Sequence, residues 1–125
     1  MSSNQDIITP AREFFTGNVA GSSEGRQRLR RHDQIVQFTV TDGASFIVMV
    51  KEGKCILKRG HIKNPKINIE ASIDTYRAIF EGKLTLTDAW FNKKLKLNGI
   101  QRWREDYIWF LPLIRIGQGK YFWAE

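Results

Sequence analysis

Between residues 34 and 59, apolar side chains recur at every second position, and two short turn sequences divide the pattern into three segments. In the first segment Val36, Phe38 and Val40 alternate with polar residues, which is typical of a β-strand with one buried face. Residues 41–43 (Thr-Asp-Gly) and 52–53 (Glu-Gly) favour tight turns, because glycine adopts positive φ without strain. Strands joined by such short links pair antiparallel. The sequence therefore predicts a three-stranded antiparallel meander.

The second strand of this meander, residues 45–51, is apolar on both faces. Its apolar residues are Phe46, Val48 and Val50 on one face and Ile47 and Met49 on the other. Something must therefore cover each side of the sheet at this strand. The third strand, residues 54–59, carries the only cysteine, Cys55, which we expect to be a small core residue because no activating partner stands near it in the sequence.

Two further strands follow, separated by helices. Ile67 and Ile69 define a fourth strand at residues 66–70, and Leu95 and Leu97 define a fifth at residues 94–99. Ser72 is suited to cap a helix that ends at Gly82 and whose apolar stripe repeats at intervals of three and four. That stripe consists of Ile73, Tyr76, Ile79 and Phe80. A shorter helix, capped by Thr85 or Thr87, carries Ala89, Trp90 and Phe91.

The N-terminal part of the chain is predicted to be helical, and the C-terminal part is predicted to be a helix followed by an aromatic tail. A short helix begins near Thr9-Pro10, with proline at the first helical position, and Gly17 and then Gly21-Ser22-Ser23 interrupt it. The segment 26–31, which contains four arginines, is read as solvated surface with Leu29 as its anchor. The last helix is predicted from about Gln101 to Leu111, and it presents Trp103, Tyr107, Ile108 and Leu111. Trp109 and Phe110 are expected to face a second surface, and the tail ends in Tyr121, Phe122 and Trp123.

Size and composition bound the class of protein. A chain of 125 residues with 42% hydrophobic residues forms one domain with one core. One cysteine excludes an internal disulfide framework, and two histidines show no zinc-ligand spacing. The longest apolar run, residues 108–114, is far short of the roughly 20 residues of a membrane span. No signal peptide is visible, and we expect a cytoplasmic protein. The net charge of +7 attracts anions and favours solubility without selecting a function.

Three stretches of the chain, read in order, resemble the sterol carrier protein 2 domain, also called the nonspecific lipid-transfer domain. They are residues 38–43 (FTVTDG), 67–84 (INIEASIDTYRAIFEGKL) and 88–99 (DAWFNKKLKLNG). The resemblance covers about residues 34–112. It divides the chain into a helical N-terminal segment (1–33), a family-like core (34–112) and an aromatic tail (113–125). A departure is Trp90-Phe91-Asn92, where the family often has a small residue or methionine followed by glycine.

The resemblance implies an α+β fold, with a single layer of five mainly antiparallel strands and helices packed on it around an apolar tunnel. It implies binding, and transfer, of a fatty acid, acyl-CoA, sterol or similar lipid, with no catalytic residue, metal or cofactor to carry over. The expected tunnel-lining residues are Phe38, Phe46, Val48, Ile69, Ile73, Tyr76, Ile79, Phe80, Trp90, Phe91, Leu95, Trp103, Tyr107 and Leu111.

Other functions stay open at this stage. The same apolar residues would also fill a solid core, which would leave a basic nucleic-acid-binding or protein-interaction module. Basic residues mixed with aromatic ones favour nucleic acid, but they scatter over several elements and the RNA-recognition strand motif is missing. The chain has no nucleophile elbow and no phosphate-binding glycine loop, so an enzyme is not expected. Transient contact with an anionic membrane and homo-oligomerisation are further expectations.

Overall fold

The computed structural model of the protein describes residues 6–119. Its centre is a five-stranded sheet in the order β3-β2-β1-β4-β5. The strands are β1 (Gln34–Val40), β2 (Phe46–Lys51), β3 (Lys54–Arg59), β4 (Ile67–Ala71) and β5 (Leu95–Asn98). The β1–β4 pair is parallel and the other three pairs are antiparallel. The predicted sheet of five mainly antiparallel strands is therefore confirmed.

The predicted meander forms from β1, β2 and β3. Glu52 and Gly53 make the turn between β2 and β3 with φ angles of 52° and 80°, the two positive values of a type I′ hairpin. This turn sets the register that pairs Val50 with Cys55 and Val48 with Leu57. β4 lies beside β1 only after β2 and β3 have intervened, and a connection of that length permits parallel pairing.

The outer face of the sheet is covered in part by residues 60–66. The side-chain Nε2 of Gln37 donates to the carbonyl oxygens of Phe46 (3.2 Å) and Gly60 (3.1 Å). Its Oε1 accepts from the backbone N–H of Ile62 at 2.9 Å. Gln37 is only 2% exposed, so the prediction of a half-buried β1 is wrong at this residue. The passing segment covers its amide, and backbone groups of this segment and of β2 satisfy it.

Helices cover the opposite, inner face of the sheet and share one core with it. They are α1 (Ile8–Arg12), a π-helical segment (Glu13–Val19), α2 (Ser23–Leu29), α3 (Ile73–Phe80), α4 (Leu86–Phe91) and α5 (Arg104–Gly117). The predicted caps are confirmed: Ser72 Oγ accepts from the Thr75 N–H at 3.2 Å, and Thr85 Oγ1 accepts from the Asp88 N–H at 3.1 Å. An N-cap oxygen satisfies a donor that the first turn leaves free.

The N-terminal helix is longer than the sequence indicates. α1 begins at Ile8, so Pro10 is its third residue, and it continues into the π-helical segment without a break. A π-helical bond spans five residues, as between the Ala20 N–H and the Phe15 carbonyl at 3.1 Å. Gly17 lies inside this segment, and the prediction that it ends the helix is wrong. The five-residue repeat instead buries Phe14, Phe15 and Val19 together.

The last helix is also longer than predicted. α5 runs through Pro112 to Gly117, so the predicted end at Leu111 is wrong. A proline lacks the N–H that would bond to the carbonyl four residues earlier, here that of Ile108. Arg28 supplies a donor in its place: its Nη2 lies 3.3 Å from the Ile108 oxygen, and its Nε lies 2.8 Å from the neighbouring Trp109 oxygen. A side chain from the arginine-rich segment therefore lets the helix continue past its proline.

The faces of α5 differ from those predicted. Tyr107 and Phe110 are both 0% exposed, because residues three apart lie on one side of an α-helix. Ile108, which was predicted to face the core, is 59% exposed. Trp109 is half-buried against His32, with ring centroids 5.0 Å apart. The predicted aromatic tail, Tyr121 to Trp123, lies outside the described residues.

Candidate functional site

The inner face of the sheet forms the floor of an apolar layer. Phe38 of β1 and Phe46 of β2 are partners in the strand register, and alternation along each strand places both rings on the helical side. The rings stack with centroids 4.8 Å apart and planes inclined by 9°. Val48 and Ile69 extend this floor, and both are 0% exposed.

The helices supply the roof of this layer. Phe15 of the π-helical segment lies 5.4 Å from Phe38, and Phe110 of α5 lies 5.9 Å from Phe38, centroid to centroid. Tyr76 of α3 packs edge-on against Phe38 at 5.8 Å. Such tilted and edge-to-face contacts add to the stabilisation that burial of the rings provides. The rings connect the N-terminal segment, α3 and α5 to the sheet.

Phe80, at the end of α3, is one of the places where this layer approaches solvent. Its ring is partly buried and lies 4.9 Å from Phe14, 5.9 Å from Phe15 and 6.1 Å from Tyr76. Leu84, just beyond the helix, is also partly buried against the core. The rim formed by Phe80 and Leu84 gives the layer an apolar edge between the N-terminal helices and α3.

Two tyrosines anchor their helices to the sheet by their hydroxyl groups. The Tyr76 hydroxyl lies within hydrogen-bonding distance of the carbonyl oxygens of Ile69 (2.8 Å) and Thr39 (3.0 Å), across the parallel β4–β1 pair, and shares its one proton between them. The Tyr107 hydroxyl accepts from the Asn68 N–H at 2.9 Å and donates to the Asn98 carbonyl oxygen. Burial raises the pKa of Tyr107 to about 12 and raises that of Tyr76 further above its usual value. Both hydroxyls are structural donors at neutral pH.

Gln118 is the residue that follows α5, and its side-chain amide is partly buried. Its Nε2 donates to the carbonyl oxygens of Ile79 (2.7 Å) and Leu84 (3.0 Å), which flank Phe80. Its Oε1 is buried and has no hydrogen-bond partner within residues 6–119. A buried amide oxygen usually finds a donor, so this atom is an available acceptor beside the apolar edge.

The structure places most of the residues predicted to line a tunnel within this layer or against it. The buried ones are Phe38, Phe46, Val48, Ile69, Ile73, Tyr76, Ile79, Leu95 and Tyr107. Phe80, Trp103 and Leu111 are partly buried and pack against the same core. Trp103 also makes two cation–π contacts, with Lys66 Nζ 5.0 Å and Arg102 Cζ 5.1 Å from its ring centroid.

Trp90 and Phe91 differ from the other predicted lining residues. Phe91 is 73% exposed and Trp90 is 40% exposed, and they border a surface groove beside β5. The expectation that they point between the sheet and the helices is not met. The reason is the phase of α4, in which Leu86 and Ala89 take the buried positions and the next two side chains turn outward.

Several residues of the layer were absent from the predicted set. Phe14, Phe15 and Phe110 are each at most 1% exposed and contact its other rings. The first two lie in a π-helical turn, whose five-residue repeat differs from the pattern expected of an α-helix. Phe110 could have been found from its spacing of three from Tyr107.

Groups for other chemistry are sparse in the part of the chain that the structure describes. Within residues 6–119 no three His, Cys, Asp or Glu side chains converge as a metal site would require. Burial raises the pKa of Cys55 to about 11, which keeps it a thiol rather than a nucleophilic thiolate. Within the same range, no helix combines the length and apolarity needed to cross a bilayer.

A five-stranded α+β sheet with an apolar layer under its helices is the architecture of the sterol carrier domains. The model of the SCP-2 sterol transfer family matches residues 17–101, and the chain belongs to this family. Proteins of the family bind or transfer lipids and sterols. The match begins within the π-helical segment and includes the arginine-rich segment, which the sequence had left without a family counterpart.

Solved structures share the fold at low sequence identity. The sterol carrier protein domain 2 of Helicoverpa armigera is 17% identical, with a TM-score of 0.70, over 97% of this chain and 95% of that one. The palmitated sterol carrier protein 2-like 2 of Aedes aegypti is 18% identical, with a TM-score of 0.58, over 82% and 94%.

The same fold occurs inside a larger enzyme. The stereoselective inverting sec-alkylsulfatase Pisa1 of a Pseudomonas species is 17% identical with a TM-score of 0.56. The match covers 69% of this chain but only 14% of the sulfatase. A search of curated proteins finds no match. The family is in general non-catalytic, although its fold can be part of an enzyme.

Proposed function

We propose that the protein binds an apolar ligand with a long acyl chain or a sterol skeleton between the inner face of the sheet and the helices. The observation that carries this proposal is the apolar layer itself, which joins Phe38 and Phe46 of the sheet to Tyr76 and Phe80 of α3. The family membership supports the same site, as does the palmitate named with the Aedes aegypti protein.

The ligand enters at the edge formed by Phe80 and Leu84. A sixteen-carbon chain gains roughly 12 kcal/mol on transfer from water, at about 0.8 kcal/mol per buried CH₂. Association and ordering of the chain cost about 4–15 kcal/mol, so the net affinity depends on how little the protein must rearrange. The π-helical segment lies beside Phe80. Although π-helical turns are rare in proteins overall, they are often found at functional sites.

Gln118 Oε1, which has no partner among the described residues, gives this site a polar end. It lies on the amide that bridges Ile79 and Leu84, so a ligand entering beside Phe80 brings its head close to this oxygen. An oxygen acceptor selects a head group that donates, such as the hydroxyl of a sterol or fatty alcohol. One such hydrogen bond contributes about 0.5–1.5 kcal/mol.

Displacement of a fluorescent long-chain fatty acid tests the proposal. Saturated acids from eight to about eighteen carbons are titrated as competitors, and affinity should rise with chain length until the layer is filled. Hexadecanol should compete about two- to tenfold better than its methyl ether, which has no donor for Gln118. If no chain longer than about ten carbons competes, the layer is a filled core. The protein would then be an interaction module rather than a lipid carrier.

A further inference from the structure

The end of α4 carries two large aromatic side chains that stand in solvent. Phe91 is 73% exposed and Trp90 is 40% exposed. Their rings stack on each other, with centroids 5.7 Å apart and planes inclined by 23°. A contiguous apolar patch of this kind on a protein surface marks an interaction site more often than scattered single residues do.

The cause of this exposure is local. α4 has six residues, and its inward positions are taken by Leu86 and Ala89. Lys93, in the left-handed region with φ of 62°, then turns the chain into β5, which is the edge strand of the sheet. The aromatic pair and the lysines that follow it are thereby brought to one corner of the molecule.

The charge at this corner is positive. A groove of about 490 Å³ is lined by Trp90, Phe91, Lys93 and Lys96 together with β5, and none of its lining residues is acidic. A second groove of about 240 Å³ contains Lys93, Lys94 and Lys96. The acid in that groove, Glu70, already accepts a hydrogen bond from the side chain of Asn98 at 3.2 Å.

We propose that this corner, defined as Trp90, Phe91, Lys93, Lys94 and Lys96, docks on the anionic surface of a lipid bilayer. Exposed tryptophan and phenylalanine insert at the level of the headgroups, and flanking lysines are attracted to acidic lipids. A second copy of the chain is a poorer occupant, because symmetric contact would bring two sets of lysines together. Single-stranded nucleic acid is also a poorer occupant. Because Trp90 and Phe91 stack on each other, each ring has only one face left on which a base could stack.

The five residues of this corner are exposed and lie outside the buried layer, so the vesicle test does not require a bound ligand. Vesicles of phosphatidylcholine, alone or mixed with phosphatidylglycerol in about a two-to-one ratio, are sedimented with the protein. Binding should need the anionic lipid and should weaken as salt rises, because headgroup attraction is screened over about 8 Å. Lys93→Gln with Lys96→Gln should reduce partitioning about tenfold, and Phe91→Ala about fivefold.

Matched controls separate this corner from general positive charge. Lys58→Gln with Lys63→Gln removes the same two charges from exposed positions elsewhere, and it should reduce partitioning less than about twofold. An environment-sensitive dye on Phe91→Cys, in a Cys55→Ala background, should shift to the blue with anionic vesicles. The same dye on Ile108→Cys, which is 59% exposed in the native chain on α5, should not shift.

Two results would overturn the proposal. One is an equal loss of vesicle binding in both lysine double variants, with equal dye shifts at both positions. The other is binding to single-stranded DNA that exceeds vesicle binding and is lost in the corner variants alone, which would assign the corner to nucleic acid. Circular dichroism checks that each variant is folded. All of the substituted lysines and Phe91 are exposed, so their substitution should not disturb the core.

Discussion

The guanidinium of Arg28 lies 3.3 Å from the carbonyl oxygen of Ile108, the oxygen that Pro112 deprives of its helical donor. Trp109 returns a bond from its indole N–H to the Arg28 carbonyl oxygen at 3.2 Å. The two segments are thus tied by hydrogen bonds in both directions. This contact gives the arginine-rich segment a structural role at one of its positions.

The contact predicts a non-additive pair of substitutions. Arg28→Ala should lower the free energy of unfolding by about 1.5–3 kcal/mol, because two charged hydrogen bonds are lost and the Ile108 carbonyl has no helical N–H to replace its donor. Pro112→Ala restores a backbone N–H for Ile108, so Arg28→Ala should cost less in that background. Urea unfolding of the four proteins measures the difference. Arg31→Ala, at an exposed position, is the control, and equal costs in both backgrounds would contradict the role of Arg28.

Gly117 and Gly17 form a second matched pair. A Cβ added at Gly117 would stand 2.3 Å from Cζ of Phe14, whereas one added at Gly17 has nothing within 4 Å. Gly117→Ala should therefore destabilise the protein by about 1–3 kcal/mol through overpacking. Gly17→Ala should stabilise it by about 0.4–1 kcal/mol by restricting the unfolded chain. Thermal unfolding distinguishes the two, and a neutral Gly117→Ala would show that α5 does not close on the N-terminal helices.

Alkaline pH should unfold the protein through its buried tyrosines. The pKa of Tyr107 is raised to about 12 from 10.0, and that of Tyr76 is raised as well. A raised folded-state pKa means that stability is complete below the unfolded value and is lost as pH rises from about 10 towards 12. Urea unfolding across this range should show less pH dependence in Tyr107→Phe than in the native chain. Identical slopes would mean that Tyr107 ionises freely in the folded state.

Phe80 and Phe91 test which aromatic side chains belong to the ligand site. Phe80→Ala opens the edge of the apolar layer. The affinity for a bulky ligand such as a sterol should therefore rise about tenfold relative to the affinity for a fatty acid. Phe91→Ala removes the same ring from an exposed position and should leave both affinities unchanged. Competition with a fluorescent fatty acid measures both. If instead Phe91→Ala changed the preference and Phe80→Ala did not, the ligand would lie beside β5.

The sheet could be predicted from the sequence because its information is local. The core-facing positions of Val36, Phe38 and Val40, the Glu52-Gly53 turn and the Ser72 cap each depend on a few neighbouring residues, and all three are found as expected. The buried members of the predicted site that lie on strands follow from strand alternation, and those on α3 follow from the spacing of three and four along a helix. Phase along each strand decides which side chains face the helices.

The remaining features depend on contacts between distant parts of the chain. Gln37 is buried by a loop that passes over the sheet, and Pro112 is tolerated because Arg28 reaches it. Neither partner can be read from local spacing. The outward position of Trp90 and Phe91 follows from the phase of a six-residue helix, which is too short for periodicity to specify.

We propose that the apolar layer between sheet and helices holds a lipid. Native mass spectrometry of the protein, purified without detergent or organic solvent, tests it most directly. The predicted result is a species heavier than the 14.5 kDa chain by the mass of a lipid, which denaturation releases and which organic extraction identifies. A native mass equal to that of the chain alone, unchanged after incubation with long-chain fatty acids and sterols, would contradict the claim.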